Sequence, residues 1–184
     1  MRAEGLNTLV INPDSNADQD STAAAKIVGF ESKPNRAMAA ADLTAAYARH
    51  ARKVTRGLAL LERKQVLVQD EMRADQPAEV WWFLHTPAQV KISDGGLTAT
   101  LRHGSARLVA RILSPANAAF TVMDAAPFPT SPHPERQNQN DQVRKLAIHF
   151  VDAKDVRVAV LLTPAREGET VETSLPSISP LADW

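Results

Sequence analysis

The sequence predicts an all-β protein, an antiparallel β-sandwich, and three observations carry that prediction. Most segments with a clear period place apolar residues at every second position, the pattern of a strand buried on one face. Turn-forming residues separate these segments at short intervals. No long amphipathic helix competes for the chain, so about ten short strands are expected to stack in layers. At 184 residues the chain has the length of one domain with a core of its own.

Residues 7–12, 26–32 and 36–43 read as the first strands. The stretch 37–51 is rich in alanine, the strongest intrinsic helix former, yet the flanking strands leave little room for a helix. The expectation there is strand, then turn, with space for a short helical turn near Tyr47. Residues 57–61 and 66–70 read as a hairpin across Glu62-Arg63-Lys64-Gln65, whose charges belong on an exposed loop. Val80-Trp81-Trp82-Phe83-Leu84 is apolar at both parities, which suits a central strand covered on each face or one that meets another domain.

Ser93-Asp94-Gly95-Gly96 joins 90–92 to 97–101 and supplies residues that tolerate positive φ, as tight hairpins require. Residues 107–113 and 118–123 add strands. Leu146, Ile148 and Phe150 alternate with Lys145 and His149, and Val156, Val158, Val160 and Leu162 with Asp155, Arg157 and Thr163; both are strands. The stretch 125–141 holds Pro127, Pro129, Pro132 and Pro134 followed by Gln137-Asn138-Gln139-Asn140, and is expected to run over the surface. Residues 1–165 are assigned to the sandwich, and the polar 166–184 to a loosely held tail from which the terminal Trp184 is excepted.

Lys and Arg total 21 and Asp and Glu 21, a formal net charge of +0. This balance removes the chain-wide field that drives binding to nucleic acid or anionic lipid, so no nucleic-acid and no membrane partner is expected. The absence of Cys excludes disulfides, thiolate metal sites and a cysteine nucleophile. Glu4 stands where a signal peptide needs an apolar run, and no stretch approaches the roughly 18 apolar residues of a membrane span. As written, the chain reads as soluble and unexported.

At Glu4-Gly5-Leu6-Asn7-Thr8-Leu9 and Ala41-Asp42-Leu43-Thr44-Ala45-Ala46-Tyr47, then Arg56, Leu67-Val68-Gln69-Asp70 and Trp82-Phe83-Leu84-His85-Thr86, the chain resembles the heparinase II/III family of polysaccharide lyases. The likeness covers about residues 2–163 and is to the family's C-terminal, supersandwich-like domain. It implies a β-sandwich that in full-length members packs against an N-terminal α/α-toroid; nothing toroid-like is expected here. The implied chemistry is β-elimination on uronate-containing polysaccharide. A base takes the proton α to the carboxyl group, an acid protonates the departing oxygen, and cationic or amide donors neutralise the carboxylate.

The resemblance also implies an acidic-polysaccharide partner, an α/α-toroid partner domain or a homo-oligomer, and a periplasmic or cell-envelope setting. Family members usually carry His before the Asn-Thr pair, near a metal or active-site cluster. Here that position is Leu6, an alkyl chain that cannot coordinate a metal. No metal and no cofactor are expected. The chain is expected to be a lyase piece that starts partway through the sandwich and is incomplete alone.

Tyr47, the one tyrosine, ends the Asp42-to-Tyr47 motif and is the catalytic candidate, a phenol that could reach the sugar; the bland alternative is a packing residue. Arg49, His50 and Arg52, continuing into Lys53 and Arg56, form the local cationic run that an acidic polymer would meet, unless they are simply a solvated face. His85 beside Trp81, Trp82 and Phe83 suits a carbohydrate platform, against core packing or a surface that meets a missing domain. His103, His133 and His149 have neither metal spacing nor a nucleophile. Two functions follow: the C-terminal domain of a uronate-polysaccharide lyase, or a carbohydrate-binding or scaffolding sandwich that performs no elimination.

Overall fold

Two strands of 22 residues each organise the molecule, β5 (Gln65–Thr86) and β10 (Arg144–Ala165). The structure is a computed structural model that describes residues 2–138, 140–166, 168–169, 171 and 175–184. The other strands are β1 (Leu9–Ile11), β2 (Lys26–Ser32), β3 (Arg36–Asp42), β4 (Lys53–Leu61), β6 (Gln89–Ser93), β7 (Thr98–His103), β8 (Ala106–Ser114) and β9 (Phe120–Asp124). Every pairing is antiparallel, and the connected path runs β2-β3-β4-β5-β10-β8-β7-β6, with β1 on β5 and β9 on β10.

The long strands serve two layers. The first part of β5 pairs with β4 and with the last part of β10, inside the large layer. The last part of β5 pairs with β1 and with the first part of β10, which also carries β9, to make the small layer. Between them β10 bends, with register shifts from Phe150 to Asp155 and a positive φ of 53° at Asp152. The sequence pattern split each long strand in two because the bends are polar. Glu71 to Glu79 contains Pro77, and Asp152, Lys154 and Asp155 interrupt the apolar alternation.

The main core fills the space between the layers. Leu9, Ile11, Val80, Trp82, Phe120, Leu146 and Ile148 face Val54, Met72, Leu101, Ile112, Val156, Val158 and Val160. This is the alternation read from sequence, expressed as a two-layer sandwich. The doubly apolar strand segment is covered on both faces within the described chain. Val80 and Trp82 enter the main core, whereas Phe83 packs with Ala3, Val10, Phe128 and Ala147, and with Trp81, behind it.

That second cover corrects the expected surface loop. Its opening residues pack down: Phe128 N–H donates to Glu4 Oε2 at 2.8 Å, and Lys145 Nζ donates to the Ala126 carbonyl at 2.7 Å. The tail is held at more than the excepted Trp184. Ile178 and Trp184 pack on Met38, Ala59, Leu67 and Leu161 at the outer face of the large layer, and Leu181 is buried. Leu181 N–H donates to Glu71 Oε1 at 3.0 Å, and Gln69 Nε2 to the Ser179 carbonyl at 2.8 Å. Gly57 explains how the tail sits so low, since a Cβ there would overlap Leu181 Cδ2 and lie 2.9 Å from the Trp184 ring.

The Ser93–Gly96 connection turns as expected, with positive φ at Asp94, Gly95 and Gly96. The alanine-rich stretch becomes β3 followed by a single 3-10 turn, Thr44–Tyr47. The repeated alanines of β3 fit between β2 and β4, and strand pairing overrides their helical preference.

Candidate functional site

The antiparallel register Leu9↔Trp82 to Ile11↔Val80 carries the segment before β1 alongside the end of β5, which brings Asn7 to His85. Asn7 Oδ1 accepts the His85 backbone N–H at 2.7 Å, an unambiguous donor that fixes which end of the amide is oxygen. The same oxygen lies 3.2 Å from His85 Nδ1, so the neutral ring keeps its proton on Nδ1 and its lone pair on Nε2. That Nε2 is shielded and has no hydrogen-bond partner among the described residues. Burial and then the Lys145 charge push the His85 pKa down, against the Glu4 backbone. The imidazole is therefore neutral at neutral pH.

Asn7 is itself held by charge. Its backbone carbonyl accepts from Arg56 Nη1, while Arg56 Nε and Nη2 grip Asp70 at 2.7 and 2.8 Å. Asp70 is 1% exposed and also takes the Trp82 Nε1–H at 3.1 Å. Burial alone would lower the Arg56 pKa, but the Asp70 charge and hydrogen bonds outweigh it and the net shift is upward. Lys145 sits behind this corner, 5.0 and 5.1 Å from the Phe83 and Phe128 ring centroids. Burial lowers its pKa, and the Glu4 and Asp18 charges oppose that shift.

Tyr47 ends the 3-10 turn and points inward, fully buried. Its hydroxyl donates to the Leu9 carbonyl at 2.8 Å, lies 3.1 Å from Thr8 Oγ1 and accepts from Gln19 Nε2. One donor and two acceptor positions are thus all in use. Burial pushes the phenol's pKa up, against the Thr8 and Gln19 hydrogen bonds. The catalytic expectation for Tyr47 is not supported by this geometry: the group is a buried, protonated tie that fixes β1, with its hydrogen-bonding positions filled.

The cationic run does not gather. Arg49 pairs with Asp14, whose pKa is lowered to about 2 by hydrogen bonds from Asn16 and then Arg49. His50 is half-buried, its pKa lowered by burial and by Arg49 against Asp14 and Asp18. Arg49 lines a crevice of about 290 Å³ with Asn16, Asp18 and Gln19. Arg52 lies apart, 3.7 Å from Asp75, and Lys53 is 2.6 Å from Asp42. A turn and the start of β4 separate these neighbours in sequence, so adjacency did not become a patch.

The aromatic platform is core. Phe83 and Trp82 are 0% and 2% exposed, and Trp81 is stacked by His149 at 3.7 Å between ring centroids. His149 Nε2 and Trp81 Nε1 both meet Glu79 Oε1 at 2.9 Å. Of the predicted site residues, Tyr47 and His85 share one network through Thr8 and Asn7; Arg49, His50 and Arg52 lie outside it. Sequence reasoning left Asn7 and Asp70 without a role. Asp70 was findable, because it occupies the inward parity of Val68 and Met72, where an acid must have a partner. Among the described residues no three His, Asp or Glu side chains are grouped to hold a metal.

Fold and site define a two-layer antiparallel sandwich with a polar corner where β1 enters and β5 ends. The same fold occurs in heparan sulfate lyase HepC from Pedobacter heparinus, at a TM-score of 0.67 and 12% identity over 93% of this chain and 26% of that one. A heparinase III structure matches at a TM-score of 0.63 and 12% identity, over 87% of this chain and 23% of that chain. HI1317 matches at a TM-score of 0.53 and 7% identity, over 85% of this chain and 73% of the other. The chain thus spans about a quarter of the lyases' length, and at these identities the likeness is one of fold. No family model matches the chain. No curated protein matches it.

Proposed function

We propose that this chain is a sandwich module of a polysaccharide-lyase-like protein, that it forms one wall of a cleft for uronate-containing polysaccharide, and that it has no turnover alone. The observation that carries this reading is the Asn7–His85 corner: a neutral imidazole with its proton directed to Nδ1, beside the side-chain amide of Asn7, whose backbone carbonyl Arg56 and Asp70 hold in place. An amide is a donor suited to a carboxylate, whereas the lone pair of the neutral imidazole, on the shielded Nε2, meets no substrate within this chain, in keeping with no turnover alone. Among the described residues, the acid and the carboxylate clamp are not assembled around it. Tyr47 is saturated, and Arg49, Arg52, Lys53 and Arg56 each hold a carboxylate of their own. Elimination then needs groups from a partner, of which an α/α-toroid is the implied kind.

The same saturation favours a second reading, a carbohydrate-binding or scaffolding sandwich with no part in elimination. One experiment separates them. The chain is incubated with heparin, hyaluronan and alginate while the absorbance of unsaturated uronate is followed, and its retention on each immobilised polymer is measured. The lyase-wall reading predicts no product from the chain alone, retention that His85→Ala and Asn7→Ala reduce, and product once a toroid partner is added. Retention without product under any pairing favours carbohydrate binding, and the absence of retention overturns the lyase-wall reading and leaves only scaffolding.

A further inference from the structure

The large layer ends at β2, which pairs with β3 on one side and with no other described strand. An open edge offers unpaired backbone groups, and this edge is also apolar: Ile27, Val28 and Phe30 are 65%, 60% and 74% exposed. The pairing with β3 shows which way each side chain faces. Ile27 lies opposite Ala41 and Phe30 opposite Ala39, on one face, because a register shift between Ile27 and Gly29 inserts Val28 as an extra residue. Lys26, Gly29 and Glu31, opposite Asp42, Ala40 and Met38, take the other face.

We propose that two copies of this chain pair antiparallel through β2, with the two-fold axis at Gly29. Side chains opposite one another in a sheet must share a face, and a two-fold pairing must set one residue against itself. Centred on Gly29, Phe30 meets the bulged pair formed by the partner's Ile27 and the partner's Val28. Glu31 then meets the partner's Lys26, and each contact occurs twice. Moving the centre by one residue, to Phe30, keeps the faces matched but sets Glu31 against the partner's Gly29, so the Glu31–Lys26 charge pairing is lost.

Two further observations fit. A Cβ on Gly29 would sit 3.6 Å from Ala40 Cβ and 3.8 Å from Met38 Cε, ordinary contacts, so packing within the chain does not require this glycine. A bare backbone at the axis lets two edges close. Lys26 and a bulge are usual guards of a free edge, but here the guard charge meets its opposite across the axis. Glu31 also bonds Lys33 at 2.6 Å, an exposed pair of small net worth that leaves its carboxylate able to take a second cation.

This inference stands apart from the polysaccharide reading. Sedimentation velocity of the full chain over a concentration series tests it, with circular dichroism confirming that each variant folds. The expected result is a concentration-dependent dimer that Phe30→Lys abolishes. Lys26→Glu and Glu31→Lys should each weaken it about tenfold, since like charges then oppose at both ends, and the double variant should return to within about threefold of the parent. A chain that stays monomeric up to about 1 mM, a dimer indifferent to Phe30→Lys, or a double variant no better than the singles overturns the proposal.

Discussion

Replacing Asp70 by Ala removes the acceptor on which the corner depends. Asp70 is 1% exposed and receives two hydrogen bonds from Arg56 and one from Trp82. The substitution leaves a guanidinium whose side chain is 18% exposed without its counter-charge, and an indole N–H buried without an acceptor. Breaking a buried ion pair from one side costs about 3–5 kcal/mol and orphaning a buried donor about 1–3 kcal/mol. The two overlap in space and do not add fully, so the expected loss is about 4–6 kcal/mol. For a chain of this length that lowers Tm by roughly 10–20 °C. Urea unfolding and calorimetry measure both quantities. Asp70→Asn, which keeps one carbonyl acceptor, should lose less, and Asp70→Leu combined with Arg56→Met should recover most of the stability because no charge is then stranded. A loss below about 1 kcal/mol for Asp70→Ala, far under the buried-pair range, or a double variant as unstable as the single, would refute this reasoning.

Gly57→Val drives a side chain into the space of Leu181 and Trp184. It should cost about 2–3 kcal/mol in urea unfolding, the worth of one buried Leu, and add little in a chain already cut after residue 174. Tyr47→Phe strips the Leu9 carbonyl of its donor. It should cost about 1–3 kcal/mol while polysaccharide retention stays unchanged. Stability should fall steadily with acidification. His50 and His85 have folded pKa values below 6.5, so their contribution is full above 6.5 and is lost as pH drops through that window. Asp42, lowered from 3.8 to about 2 by Lys53 and Thr44, extends the loss as pH falls from 3.8 toward 2. Urea titrations across pH should show His85→Gln flattening the upper part of that curve and Asp42→Asn the lower.

The fold class was legible because burial in a two-layer sandwich imposes a two-residue period, and the turn at Ser93–Gly96 needs residues that accept positive φ. The continuity of β5 and β10 was not, since their bends lie where polar residues and Pro77 break the period while backbone pairing continues. Tail docking depends on a missing Cβ at Gly57 and an acceptor on Glu71, both more than a hundred residues from Leu181 in sequence. At the site, the Asn-Thr pair and His85 were visible as motifs, and their meeting follows from strand register. The inward turn of Tyr47 follows from Thr8, Leu9 and Gln19, which no local pattern connects to it.

The most direct measurement is an NMR titration of the assigned chain with a uronate tetrasaccharide, read beside the absorbance of unsaturated product. The proposed wall predicts saturable amide shifts centred on Asn7, Thr8 and His85, reduced in His85→Ala, with no product formed. Shifts confined to another face, or unsaturated uronate released by this chain alone, would contradict it.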